Sequence, residues 1–92
     1  MYPFSEMQND AEIAVGMALP VGTTSTCLVY PDPEADLPTV CVEIAVQCPD
    51  REFFCTLTLN QGYVSSKKLF EQEIFRATIE AYRKEMYMVE IV

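Results

Sequence analysis

The chain has 92 residues, half of them hydrophobic, and its 14 acidic and 6 basic side chains give a formal net charge of -8 without any histidine. This length allows a single domain, and the hydrophobic content excludes a disordered acidic tail. No apolar run approaches the roughly 20 residues of a membrane helix. The N-terminus also lacks the basic and apolar regions of a signal peptide, so we expect a soluble cytoplasmic protein that does not bind membranes.

The first predicted element is a strand over residues 12–19. Large apolar side chains alternate there with small or polar ones; the large ones are Ile13, Val15, Met17 and Leu19. Alternation of this kind is typical of a strand with one buried face. A helix that starts at Ser5 competes with this interpretation, because the letters SEMQ fit a capping box, but Gly16 and Pro20 would cut it short.

Three further strands are predicted downstream, in the segments TSTCLVY (24–30), TVCVEIAVQ (39–47) and EFFCTLTL (52–59). The middle segment has the clearest pattern, with one face formed by Val40, Val42, Ile44 and Val46. The short polar connection CPDR between the last two segments predicts an antiparallel hairpin.

The apolar period changes from two to about 3.6 after residue 64, which predicts a helix from Ser65 or Ser66 to about Lys84. One face of this helix is formed by Phe70, Ile74, Ala77 and Ala81. The alternating tail MYMVEIV (86–92) could add an edge strand. The predicted fold is therefore α+β, an antiparallel sheet of four strands, or five with the tail, and one C-terminal amphipathic helix packed on one face.

A second apolar stripe lies beside the first on the predicted helix, and its members are Phe75, Ile79, Tyr82 and Met86. The two stripes together are wider than the face that a single sheet usually covers. Either a curved sheet wraps around the helix, or Phe75, Ile79 and Tyr82 contact a partner.

The sequence offers no catalytic or cofactor motif. General acid–base and triad catalysis depend heavily on histidine, and three glycines form no phosphate-binding loop. The spacing of Cys27, Cys41, Cys48 and Cys55 matches neither a zinc site nor a dense disulfide framework, so we expect buried free thiols. A calcium-binding loop of the EF-hand type, beginning at Asp32, is not expected because Leu37 occupies the position that requires glycine. We therefore expect no enzyme activity, no cofactor and no metal.

The net negative charge of the chain comes entirely from its first half. Residues 1–50 contain eight acidic side chains and no Lys or Arg, whereas residues 51–92 contain six of each sign. Such a half repels phosphates, which disfavours direct nucleic-acid binding, and it attracts a basic surface on another protein. The candidate partner-binding carboxylates are Asp32, Glu34, Asp36, Glu43 and Asp50.

Three of these carboxylates alternate in the proline-rich segment YPDPEADLP (30–38). Prolines favour extended backbone, so the segment is predicted to be an extended strip with carboxylates roughly 6–7 Å apart. This spacing is close to that of phosphates along a nucleic-acid strand, and Arg binds carboxylate and phosphate in the same bidentate way. The strip is interpreted as a phosphate mimic; the alternative is a solvated loop that only connects two strands.

A short acidic chain of this kind, with PDPEADLP in its first half and the single amphipathic helix SSKKLFEQEIFRATIEAYRK in its second, resembles phage-encoded anti-CRISPR proteins, in particular inhibitors of type I-F surveillance complexes. The resemblance implies a stoichiometric inhibitor in the host cytoplasm that docks on basic nucleic-acid-binding surfaces of Cas subunits and blocks target DNA. The alternative hypothesis is a small structural or assembly protein that forms a homodimer through its helix face.

Overall fold

The computed structural model describes residues 2–87, and these form an α+β fold with an antiparallel sheet. The elements in chain order are α1 (Phe4–Ala18), β1 (Thr24–Pro31), β2 (Val40–Gln47), β3 (Glu52–Leu59), α2 (Gln61–Val64) and α3 (Lys67–Tyr87). Within the described range the sheet has three strands in the order β1-β2-β3, each antiparallel to its neighbour. None of these helices is long and apolar enough to cross a membrane.

The three strands lie where the alternation predicts them. In β2 the predicted apolar face is buried throughout, while Glu43 and Gln47 on the other face are exposed. The same alternation continues in β3, where Phe53 and Leu59 are buried and Phe54 is exposed. One face of the sheet is therefore covered, and the other, which we call the open face, is exposed to solvent.

The predicted strand over residues 12–19 is wrong, because these residues belong to α1 and its end. The buried side chains of α1 follow helical spacing and are Met7, Asp10, Ala11, Ala14 and Val15. Ile13 and Met17, which the alternation placed in a core, lie on the exposed side. The helix ends at Ala18, and the next residue has extended backbone because it precedes Pro20.

Gly16 does not cut α1 short: the helix continues to Ala18, because a single glycine in a helix costs only about 1 kcal/mol relative to alanine. The capping box at Ser5, considered as part of the competing helix, does not form. The helix begins at Phe4, with Pro3 at the cap position and no capping side-chain hydrogen bond. The sheet therefore has three described strands where four were predicted, and its covering layer contains a second long helix.

The C-terminal helix α3 begins after Ser66, whose hydroxyl accepts a hydrogen bond from the Leu69 N–H. Its buried residues are Phe70, Ile74, Ala77 and Thr78, and Phe70 and Ile74 are part of the same hydrophobic core as the inward face of β2. α3 packs mainly against α1, and also against β3. The predicted edge strand at the C-terminus falls on residues 86–92, of which residues 88–92 lie outside the described part; residues 86–87 are the end of α3.

Polar contacts hold both ends of the helical layer in place. Near the start of α3, buried Asp10 accepts a 2.6 Å hydrogen bond from the Tyr2 hydroxyl and lies 3.9 Å from the Lys67 ammonium. Near its end, the Arg51 guanidinium donates to the carbonyl of Glu85 at 3.0 Å. A cation at this position also interacts favourably with the negative end of the helix dipole. These contacts fix α3 relative to α1 and to the start of β3.

The Tyr2–Asp10 contact predicts a loss of stability in alkali. Burial, followed by the hydrogen bond to Asp10, raises the pKa of Tyr2 well above its ordinary value. Because the folded-state pKa is the higher one, this contribution is complete below about pH 10 and decreases as the pH rises further. We expect urea denaturation to show a steeper loss of unfolding free energy above pH 10 in the natural chain than in Tyr2→Phe. Equal slopes would contradict burial of this phenol.

Candidate functional site

The connection between β1 and β2, residues 32–39, is called the acidic loop, and it is folded into a turn. The Asp32 N–H donates to the carbonyl of Thr39 at 2.9 Å, which closes the loop at its base. The Ala35 N–H points back to the carbonyl of Asp32 at 3.5 Å, and the Asp32 carboxylate accepts from the Glu34 N–H at 3.0 Å. Aspartate commonly stabilises turns in this way.

The prediction of an extended strip is therefore wrong. Prolines restrict only their own backbone and that of the preceding residue, and they are compatible with a turn when aspartate satisfies the amides within it. Glu34 and Asp36 are exposed, whereas Asp32 is half-buried and partly engaged by its own loop. The carboxylates therefore lie on a closed turn at the end of the sheet and not on an extended strip.

An apolar groove of about 530 Å³ adjoins the acidic loop. Its apolar lining comes from four separate parts of the chain and comprises Tyr2, Pro3, Phe4, Met7, Pro31, Pro38, Val40 and Val64. Pro31 and Pro38 flank the acidic segment, so the carboxylates and the groove share a border. Phe4 is 47% exposed, which leaves apolar surface available for contact.

The charge around this groove has one dominant sign. The N-terminal half that supplies most of its lining contains no Lys or Arg, and exposed Glu6 lies between Phe4 and Met7 on α1. The nearby ammonium of Lys67 is close to buried Asp10. An apolar groove beside exposed carboxylates fits a protein segment that combines basic and apolar side chains.

The other two predicted carboxylates do not belong to this site. Glu43 lies in the middle of β2 on the open face, where it accepts a hydrogen bond from the Tyr30 hydroxyl. That bond raises the pKa of Tyr30 to about 12. Asp50 lies in the β2–β3 turn at the opposite end of the sheet, 3.2 Å from the Arg51 guanidinium. Eight-residue strands separate the acidic loop from Asp50 by roughly 25 Å.

The helix residues predicted to bind a partner lie on α3 and are only partly exposed. Phe75 is 37% exposed, while Ile79 and Tyr82 are half-buried. The Tyr82 ring packs against Phe53 with a centroid separation of 6.4 Å. Ile79 and Tyr82 also line a shallow depression with the end of α1. Part of this stripe is thus buried within the chain, where Tyr82 contacts the sheet and Ile79 lies near the end of α1.

The thiols form no cluster that suggests chemistry. All four cysteines are free; Cys48 is buried and the other three are half-buried. Burial raises the pKa of the Cys27 thiol to about 11, which makes it a poor nucleophile at neutral pH. Within residues 2–87, no group of three or more His, Cys, Asp and Glu side chains could hold a metal ion.

Comparisons with protein-family models, with curated proteins and with solved structures found no match to this chain. The functional interpretation therefore rests on the residues of this chain. Sequence reasoning pointed to the acidic loop of this candidate site but missed the adjoining apolar groove. The groove has no local signature, because its lining is brought together by the turn at the β1–β2 end and by the unpredicted helix α1.

Proposed function

We propose that this chain is a non-enzymatic protein-binding inhibitor that acts in the cytoplasm of a host cell. Its binding site is the acidic loop together with the adjoining apolar groove. The partner presents a basic surface whose normal ligand is nucleic acid, and the bound inhibitor excludes that ligand.

The observation that supports this proposal most directly is the shared border of the acidic loop and the groove. The segment that carries exposed Glu34 and Asp36 runs from Pro31 to Pro38, and both of these prolines line the apolar groove. Carboxylates give fast, salt-sensitive encounter with a basic surface, and burial of apolar side chains in the groove slows dissociation. A site with both parts is suited to stable, stoichiometric binding.

Cas surveillance complexes supply a partner of this type, since they hold nucleic acid in positively charged channels. The character of the sequence, acidic in its first half and without catalytic motifs, resembles inhibitors of the type I-F complexes. In this proposal the acidic loop contacts Arg and Lys side chains of Cas subunits, and an apolar side chain between them enters the groove.

The test is a mobility-shift assay with purified type I-F surveillance complex and labelled target DNA. We expect equimolar inhibitor to abolish the DNA shift while the complex itself stays intact by size-exclusion chromatography. The control is the heat-denatured chain. Unchanged DNA binding at a hundredfold excess of inhibitor would refute the assignment to this complex.

The alternative of a homodimer through the helix face has less support. Ile79 and Tyr82 already pack within the chain, and Phe75 alone offers limited apolar area. No contact in the described part of the chain favours that face over the acidic loop and its groove as an interface.

A further inference from the structure

The two outer strands of the sheet differ in how their free edges are treated. On β1, the side-chain amide of Gln8 in α1 donates to the carbonyl of Cys27 at 2.6 Å and accepts from the N–H of Val29 at 2.9 Å. This amide occupies backbone groups that a neighbouring strand would otherwise use. The centre of the β1 edge, at Cys27 and Val29, is therefore sealed by its own chain.

The Gln8 contacts also establish which backbone groups face outward at the opposite edge. In an antiparallel ladder, residues alternately direct their N–H and C=O groups to one side and to the other. The backbone N–H and C=O groups of Cys27 point away from β2, so those of the next residue, Leu28, point toward its β2 partner Glu43. In the next residue of β2, Ile44, the backbone groups then point to the other side, toward Cys55 of β3. Counting on from Cys55, the outward backbone groups of β3 belong to Glu52, Phe54, Thr56 and Thr58.

The outer edge of β3 lacks the devices that usually prevent edge-to-edge pairing. Natural edge strands carry lysine, proline, bulges or a covering segment. The sequence EFFCTLTL contains none of these residues, and its single charge, Glu52, stands at one end. Within residues 2–87, β2 is the only strand that pairs with β3, and no hydrogen bond reaches its outward backbone groups.

We propose that β3 pairs antiparallel with β3 of a second copy of this chain, so that the two sheets join into one. This proposal goes beyond the partner binding described above and uses a different surface. The two-fold axis passes beside Cys55, so that Phe54 pairs with Thr56 of the second copy and Glu52 with Thr58. These pairs match outward backbone groups with outward backbone groups and keep the covered faces of both sheets on the same side.

The distribution of charge favours a second copy as the occupant of this edge. The surface beside β3 is formed by α3, where the apolar Ala77 and Ala81 are accompanied by Arg76, Glu80 and Lys84. Charges of both signs allow this surface to face itself, whereas the acidic first half would repel a copy. The proposed register opposes no two like charges, and it leaves the two acidic loops at opposite ends of the dimer.

The test measures the mass of the full chain by light scattering and sedimentation. We expect a dimer of the 10.4 kDa chain. The variant Phe54→Lys with Thr56→Lys places lysines opposite one another across the axis and should raise the dimer dissociation constant at least about tenfold. Both side chains are exposed, so folding, checked by circular dichroism, should be retained. The matched control is Thr26→Lys with Leu28→Lys, two exposed positions of β1 on the same open face, and it should remain a dimer.

A second measurement tests the register. In variants that keep a single cysteine, oxidation by copper phenanthroline should link two chains through Cys55, which lies at the axis with an expected Cα separation of about 4.5 Å. Cys27, on the sealed strand, should not form the link. A monomeric natural chain at about 0.2 mM, where even weak dimers form, would overturn the proposal. So would a dimer that survives the two lysines on β3, because it must use another surface.

Discussion

Replacing Asp32, Glu34 and Asp36 with Asn, Gln and Asn should weaken binding to a type I-F surveillance complex at least about tenfold, mainly through slower association. The three changes keep side-chain size and remove the charge of the acidic loop. Because Glu34 and Asp36 are exposed, the unfolding free energy should change by less than about 1 kcal/mol. Surface plasmon resonance against the immobilised complex measures the rates. The salt dependence should also become shallower between about 0.1 and 1 M, where the Debye length falls from about 10 to about 3 Å.

The matched control for this loss of charge is the triple variant Glu12→Gln, Asp50→Asn and Glu52→Gln. It also removes three negative charges, but from exposed positions outside the acidic loop. Two of these positions lie at the opposite end of the sheet. We expect the control to keep most of the association rate. Equal weakening in both triple variants would mean that net charge drives binding and that the acidic loop has no special role.

Truncating Phe70 to alanine should destabilise the fold by about 3–5 kcal/mol. The Phe70 side chain is completely buried, and its ring packs edge-on against Tyr2 at a centroid distance of 5.5 Å. A domain of this size is stabilised by only about 5–15 kcal/mol in total, so the variant should melt at least about 12 °C lower. Thermal and urea denaturation followed by circular dichroism measure the change.

Phe75→Ala is the control for Phe70→Ala, since it removes the same ring from the same helix at a position that is 37% exposed. We expect a loss of about 1 kcal/mol or less. If the two substitutions lower the unfolding free energy by the same amount, Phe70 is not buried against α1 and the sheet. Phe75→Ala also tests the helix stripe, because a loss of partner binding without a loss of stability would place the interface on α3.

The strand β2 could be predicted because its alternating pattern is complete, whereas in β1 only Val29 is buried. In β2 every second residue is a large β-branched side chain, and the core face contains only Val and Ile. The helix α3 could be predicted for a similar reason, since Phe70 and Ile74 repeat at helical spacing over a long segment. In both elements these repeating residues are the ones that become buried, although Phe75 on the neighbouring stripe of α3 stays 37% exposed.

The first element was misread because its buried face is built largely from small residues. Ala11 and Ala14 are almost completely buried in α1, while the larger Ile13 and Met17 are exposed. A pattern that ranks residues by hydrophobic size therefore selects the wrong face. A different reason explains why the turn in the acidic loop was not predicted. It depends on a side-chain hydrogen bond from the Glu34 N–H to Asp32, which competes with the extended geometry that the prolines favour.

Gln8 has a consequence for how large any assembly of this protein can become. A subunit with two adhesive edges adds further subunits on both sides and grows into an open-ended filament. In the proposed dimer the outermost strands are both β1, and each already has its Cys27 carbonyl and its Val29 N–H occupied by the Gln8 of its own chain. One glutamine side chain per subunit would thus terminate growth at two chains, and its loss would convert a self-limiting pair into a polymer.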